Sequence, residues 1–249
     1  MSSRCCMRTS TLPIFGTESR RFFSCSNRKK SINLPLHLVT NRSCVQNEDV
    51  FINKVLRAVK GGVSCVQIRD QKGEWEETLN SIFRLKKHLK PFNVPIILND
   101  YVEIASAIRA VDGVHLGQTD LPYCHARALM GSSAVIGLTV DSWEDVLTAQ
   151  NLDVDYLGVQ VFPSERTKLE SKKVWGLSGL RAIRQISRHS LVAIGGVDLS
   201  NLKSVTQELD SNRDGVAMVG DLWRSDDPFE VAKKVTKNMS ASLRKPRSL

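Results

Sequence analysis

From residue 34 onward, eight short apolar runs alternate with longer stretches of helical periodicity, and this alternation constrains the fold more than any other feature. The runs are LHLVT (36–40), VSCVQIR (63–69), PIIL (95–98), GVHL (113–116), AVIGLT (134–139), DYLGVQ (155–160), LVAIGG (191–196) and DGVAMV (214–219). A short continuous apolar run suits a strand covered on both faces, as in a parallel sheet. In the intervening EDVFINKVLRAVKGG, Val50, Phe51, Val55, Leu56 and Val59 mark one helical face and Gly61 supplies the stop. Similar stretches cover about 75–90, 101–110, 122–130, 142–150, 177–188, 199–209 and 228–239. Eight strands each followed by a helix predict an α/β chain folded as a single-domain (β/α)8 TIM barrel. An open doubly wound sheet would carry a G-x-G-x-x-G turn after its first strand; here VTNRSC follows instead.

The barrel is expected over 34–240, between a basic arm (1–33) and a basic tail (241–249). No apolar run approaches the roughly 18 residues of a membrane span, so a soluble chain is expected, with no membrane partner. The formal charge of +9 is concentrated at the ends: residues 1–30 carry +6 and residues 233–249 another +6, leaving the body at −3. A body of that sign is no nucleic-acid surface. The arm is rich in Arg and Ser and nearly free of acid, the composition of a transit peptide. A disordered arm, or a start at Met7 or later, reads equally well. The expected location is mitochondrial or plastid if the arm is a transit peptide, and cytoplasmic otherwise.

Of six cysteines, Cys5, Cys6 and Cys25 lie in the arm, and Cys44, Cys65 and Cys124 show no C-x-x-C spacing. A reducing compartment and no zinc site follow. Cys65, inside an apolar run, reads as a small core residue.

Barrel chemistry sits at the C-terminal ends of the strands. The candidates there are Gln67, Arg69 and Asp70 on the second strand, Asn99 and Asp100 on the third, and His115, Gln118 and Asp120 on the fourth. Thr139 ends the fifth; Ser164, Glu165, Arg166, Thr167 and Lys168 follow the sixth; Gly195 and Gly196 end the seventh, Gly220 and Asp221 the eighth. Asp100 and Asp120 end neighbouring strands, and two hard oxygen donors suit Mg2+, which keeps waters and takes further oxygens from phosphate. The plainer alternative makes each a helix cap, Asp100 for a helix from Tyr101 and Asp120 for the segment after Pro122. The glycines after strands seven and eight offer backbone N–H groups for phosphate. Arg69 and Lys168 would hold a second anion, or are ordinary surface charge.

The stretches LHLVTNR, GGVSCVQIRD, IILNDYVEIA, VDGVHLGQTDLP, IGLTVDS, DYLGVQVFPSERTK, GLSGLRAI and VAIGGV resemble, in order and spacing, the thiamine-phosphate synthase family, which includes thiazole tautomerases. The likeness covers roughly residues 34–235. It implies a transferase of thiamine biosynthesis that couples hydroxymethylpyrimidine diphosphate with hydroxyethylthiazole phosphate, giving thiamine phosphate and diphosphate. The implied reaction is Mg2+-dependent and dissociative. The implied partners are these small-molecule substrates, with a homo-oligomer left open.

Matched to the family's motifs, Gln67, Arg69 and Asn99 contact the pyrimidine diphosphate, and Asp100 and Asp120 are the Mg2+ ligands. Lys168 meets the diphosphate, making Arg69 and Lys168 the catalytic pair. Gly196, with Val219 and Gly220, borders the thiazole phosphate. Thr139 stands where serine is usual, and Ser164 and Thr167 replace two threonines. His115 reads as structural. The chain departs from the pattern at Gln71, where a lysine is usual and Lys72 comes one place late, and at Gly220–Asp221, where many relatives carry serine. A tautomerase-like isomerase would need a histidine where Gln160 stands. A catalytically reduced ligand-binding member is the other alternative.

Overall fold

The computed structural model describes residues 35–45, 47–69, 75–163 and 174–242. The arm, the tail from 243, Asp70, Gln71 and Lys72, and the loop residues Ser164, Glu165, Arg166, Thr167 and Lys168 lie outside the described residues.

Eight strands form a closed, all-parallel barrel in chain order: β1 (Leu36–Val39), β2 (Cys65–Ile68), β3 (Ile96–Asn99), β4 (Gly113–Leu116), β5 (Val135–Thr139), β6 (Tyr156–Gln160), β7 (Ser190–Ile194) and β8 (Gly215–Met218). β8 closes onto β1 with Leu36 opposite Val216. The helices are α1 (Glu48–Lys60), α2 (Trp75–Leu89), α3 (Val102–Ile108), α4 (Tyr123–Met130), α5 (Trp143–Ala149), α6 (Gly176–Ile186), α7 (Leu202–Gln207), α8 (Gly220–Arg224) and α9 (Pro228–Ser242). Two cores result. The larger lies between sheet and helices. The smaller fills the barrel with inward side chains from seven strands: Val39, Cys65, Ile97, Val135, Tyr156, Val192 and Ala217. Because the interior is plugged, ligands have access only at a rim. Cys65 is fully buried there, and burial pushes its thiol well above the usual value, so it is an inert core residue.

Two local expectations need correction. Val50 is exposed, and Phe51, Ile52, Val55, Ala58 and Val59 are the buried face of α1. Gly61 is the C-cap that ends α1, as expected, with φ −81°; the positive value, +118°, falls on Gly62. Gly61 is required because a Cβ there would stand 2.3 Å from the carbonyl oxygen of Phe229 on α9. Second, α8 was not expected. Its five residues are too few for a periodic signal, and it is held from outside. Trp223 Nε1 donates to Val39 O (2.8 Å) and its ring stacks on Phe51 (5.4 Å), while Lys54 Nζ donates to the carbonyls of Trp223 (2.9 Å) and Ser225 (2.7 Å). α8 is thereby fixed over the β8–β1 seam.

At the opposite end of the barrel, Arg184 Nη1 reaches Asp214 Oδ1 at 2.7 Å. The same carboxylate accepts from the N–H groups of Leu191 (2.8 Å) and Asp210 (2.7 Å), tying α6, β7 and the turn before β8 together. No helix among the described residues is long and apolar enough to cross a membrane.

Candidate active site

All eight strands send residues to a cavity of about 510 Å3 at their C-terminal ends. From the candidates named in the sequence it gathers Gln67, Arg69, Asn99, Asp100, His115, Asp120, Thr139, Gly195, Gly196, Val219, Gly220 and Asp221. Lys168, Ser164 and Thr167 fall outside the described residues.

Gln67 and Asn99 form its buried polar wall. Gln67 pairs with Ile97 in register, so Asn99, two residues on, faces the same way. Gln67 Nε2 donates to Asn99 Oδ1 at 2.6 Å. The pair's other polar groups are the Asn99 amide nitrogen, a donor, and the Gln67 carbonyl, an acceptor. The N–H of Arg69 donates to Thr40 Oγ1 (3.0 Å), anchoring the start of the arginine's loop on β1.

Asp100 and Asp120 are not helix caps. The N-cap of α3 is Tyr101 and that of α4 is Pro122, and neither of these residues makes a side-chain capping bond. Asp100 has φ +70°, a conformation unfavourable for a residue with a Cβ. Its N–H donates to His115 O (2.9 Å), which fastens it to the end of β4, beside the loop that carries Asp120. Asp120 Oδ2 accepts from the Gly117 N–H at 2.6 Å, folding that loop back toward the cavity. Strain held at a rim carboxylate is a sign of function. Among the described residues no cluster of three or more His, Cys, Asp or Glu assembles. Two rim carboxylates suit Mg2+, whose remaining ligands are waters and substrate oxygens.

On the far side, Gly195 (φ +79°) and Gly196 (φ +59°) make a left-handed turn. A Cβ on Gly195 would lie 2.8 Å from Phe162 O, and one on Gly196 2.9 Å from Pro163 O, so both positions need glycine. Their carbonyls are taken, that of Gly195 by the Phe162 N–H (3.1 Å) and that of Gly196 by Asn201 Nδ2 (2.7 Å). Asp198 completes the turn, accepting from the Ser200 hydroxyl (2.5 Å) and from the N–H groups of Ser200 and Asn201. The Ser200 bond, above all, holds its carboxyl below the usual range.

The departure at Gly220–Asp221 has a structural resolution. Asp221 Oδ2 accepts from the Leu199 N–H at 3.0 Å, so this carboxylate braces the loop after β7. Arg224, which the sequence did not single out, lines the cavity; a Cβ on Gly220 would stand 2.4 Å from its Nη2 and 3.2 Å from its Cζ. The guanidinium therefore lies over the bare Gly220. Sequence spacing gave no signal for it, because its position depends on α8. Gln160, a residue that cannot act as a general base, also lines the cavity.

His115 links the barrel interior to the rim. Its Nδ1 lies 3.0 Å from the Tyr156 hydroxyl and its Nε2 2.8 Å from Thr139 Oγ1.

Three comparisons bear on this site. The family model described as thiamine monophosphate synthase matches residues 36–222. The thiamine-phosphate synthase of Albidiferax ferrireducens is 38% identical over 208 residues, 84% of this chain and 93% of that protein. That of Syntrophomonas wolfei is 38% identical over 200 residues, 80% of this chain and 93% of the relative. Among solved structures, thiamine phosphate pyrophosphorylase from Pyrococcus furiosus superposes with a TM-score of 0.74 at 27% identity, covering 86% of this chain and 98% of that one.

Proposed function

The chain belongs to the thiamine monophosphate synthase family and has its transferase role in thiamine biosynthesis; from this premise we propose the substrates, the metal and the residue roles. The substrates are hydroxymethylpyrimidine diphosphate and hydroxyethylthiazole phosphate, and the products are thiamine phosphate and diphosphate. The observation that carries this reading is the placing of Asp100 and Asp120, neither used as a cap, in one cavity with the Gln67–Asn99 pair and the Gly195–Gly196 turn.

Gln67 and Asn99 bind the pyrimidine edge, and Arg69 meets the diphosphate as a charge-assisted donor. Asp100 and Asp120 hold Mg2+, which when bound supplies positive charge against the leaving diphosphate. Lys168 is assigned to the same diphosphate, and Ser164 and Thr167 to substrate binding. The bond between the pyrimidine methylene carbon and the diphosphate oxygen breaks first, its electron pair leaving with diphosphate. The thiazole nitrogen lone pair then forms the new C–N bond. No proton is transferred, so the protein needs no acid or base, only charge and placement.

The thiazole phosphate sits against the Gly196 turn and the N–H groups of Val219 and Gly220. Arg224 supplies there a cation in place of a hydroxyl. The identity of the substrates is tested by incubating the purified chain with both compounds and Mg2+, then omitting each in turn. Thiamine phosphate, read as thiochrome fluorescence after oxidation, is expected only when both are present. Turnover of either one alone would overturn the assignment.

A further inference from the structure

Tyr156, His115 and Thr139 form one line from the plugged interior to the cavity. His115 pairs in register with Gly137, and Gly137 with Tyr156, so three strands meet at one level with glycine in the middle. A Cβ on Gly137 would lie 2.1 Å from Tyr156 Cζ and 2.5 Å from its hydroxyl. One level higher, Thr139 pairs with Gly158, whose Cβ would stand 3.0 Å from His115 Cε1. Glycine inside a strand is unfavourable. Here two of them open the space in which the rings of His115 and Tyr156 meet, centroids 5.5 Å apart.

Burial pushes the Tyr156 phenol well above its usual value, so it keeps its hydrogen. Among the described residues its hydroxyl has one hydrogen-bonding partner, His115 Nδ1. If Nδ1 carried a hydrogen and donated to that hydroxyl, the phenolic hydrogen would be buried without an acceptor among the described residues, which is unfavourable. The opposite polarity gives the phenolic hydrogen an acceptor in Nδ1.

We propose that Tyr156 donates to His115 Nδ1, that His115 Nε2–H therefore donates to Thr139 Oγ1, and that the Thr139 hydroxyl is left to donate its hydrogen into the cavity. Tyr156 and His115 are positioning residues that make Thr139 a donor. A donor is the polarity a phosphoryl oxygen requires. The inference rests on the proposed phosphorylated substrates for its purpose, but the polarity itself is a property of the ligand-free chain.

The test is 15N NMR of the full chain labelled at histidine, with His115→Gln used to assign the signal. An unprotonated, pyridine-type Nδ1 and a protonated Nε2 are expected; a protonated Nδ1 in the ligand-free protein would overturn the proposal. Tyr156→Phe keeps the ring and removes the donor; it is expected to abolish this tautomer preference and to lower kcat/KM by roughly tenfold. Thr139→Val, which leaves the barrel interior unchanged, is expected to cost about the same, and the double variant little more. Full additivity would overturn the link through Thr139. Thr139→Ser, which keeps the hydroxyl, is expected to retain activity. A chain with the expected tautomer but no coupling activity would sink the proposed substrates and leave the polarity standing.

Discussion

Asp100 and Asp120 stand at the ends of neighbouring strands, and neither caps the helix that follows it. Asp100 also holds φ +70°, a conformation that disfavours a Cβ by about 1–2 kcal/mol. Asp100→Gly relieves that strain while giving the unfolded chain more freedom, worth about 0.4–1 kcal/mol. Denaturant unfolding is expected to show unchanged or higher stability, with activity reduced at least ~100-fold, about 2.7 kcal/mol of transition-state stabilisation. An active Asp100→Gly protein would show that the carboxylate has no part in the chemistry.

The Gly195–Gly196 turn gives a second expectation. Gly196→Ala meets a left-handed φ and two backbone-fixed neighbours, with Phe162 Cβ at 2.8 Å and Pro163 O at 2.9 Å. A loss of roughly 2–3 kcal/mol of stability is expected, together with a raised KM for the thiazole phosphate. The pyrimidine diphosphate KM is expected to change little, and equal changes in both would argue against a phosphate site at this turn.

Arg224 lies over Gly220 at the mouth of the cavity. A charge-assisted bond is worth roughly 1.5–3 kcal/mol, so Arg224→Ala is expected to raise the KM for thiazole phosphate about 10- to 100-fold. Gly220→Ser alone is expected to impair binding by displacing the guanidinium, and to be tolerated better when combined with Arg224→Ala. Steady-state kinetics on the four proteins of this cycle reads the coupling directly.

At the other end of the barrel the Arg184–Asp214 pair is almost wholly buried, with side-chain exposures of 8% and 0%. Arg184→Met removes one charge and strands the other. The expected cost is about 3–5 kcal/mol in chemical denaturation, with kcat of the folded fraction unchanged. A change below 1 kcal/mol would mean that the backbone donors of Leu191 and Asp210 suffice for Asp214.

The barrel was legible because a strand covered on both faces writes itself as a continuous run, as VSCVQIR and DYLGVQ do. The rim candidates followed from the strand ends alone. What stayed hidden depends on residues distant in sequence. Gly61, legible as a helix stop, does end α1, but nothing in the sequence showed that it also seats the Phe229 carbonyl on α9. Gly137 and Gly158 gave no cue that they make room for rings from neighbouring strands. The helical spacing in α1 placed Val50 on the buried face, where Ile52 and Ala58 pack. Arg224 could be found only once α8 was fixed by Trp223 and Lys54. His115 read as structural; it lines the cavity itself, and its contacts link Tyr156 to Thr139.

The most direct test of the rim carboxylates as a Mg2+ site is coupling of the two phosphorylated substrates by the full chain, with and without EDTA. Thiamine phosphate formation is expected with Mg2+, to vanish under EDTA, to return when Mg2+ is added back, and to be lost in folded Asp100→Ala and Asp120→Ala proteins. Undiminished product under EDTA, or from either folded variant at saturating substrate, would contradict the assignment of Asp100 and Asp120 to the metal.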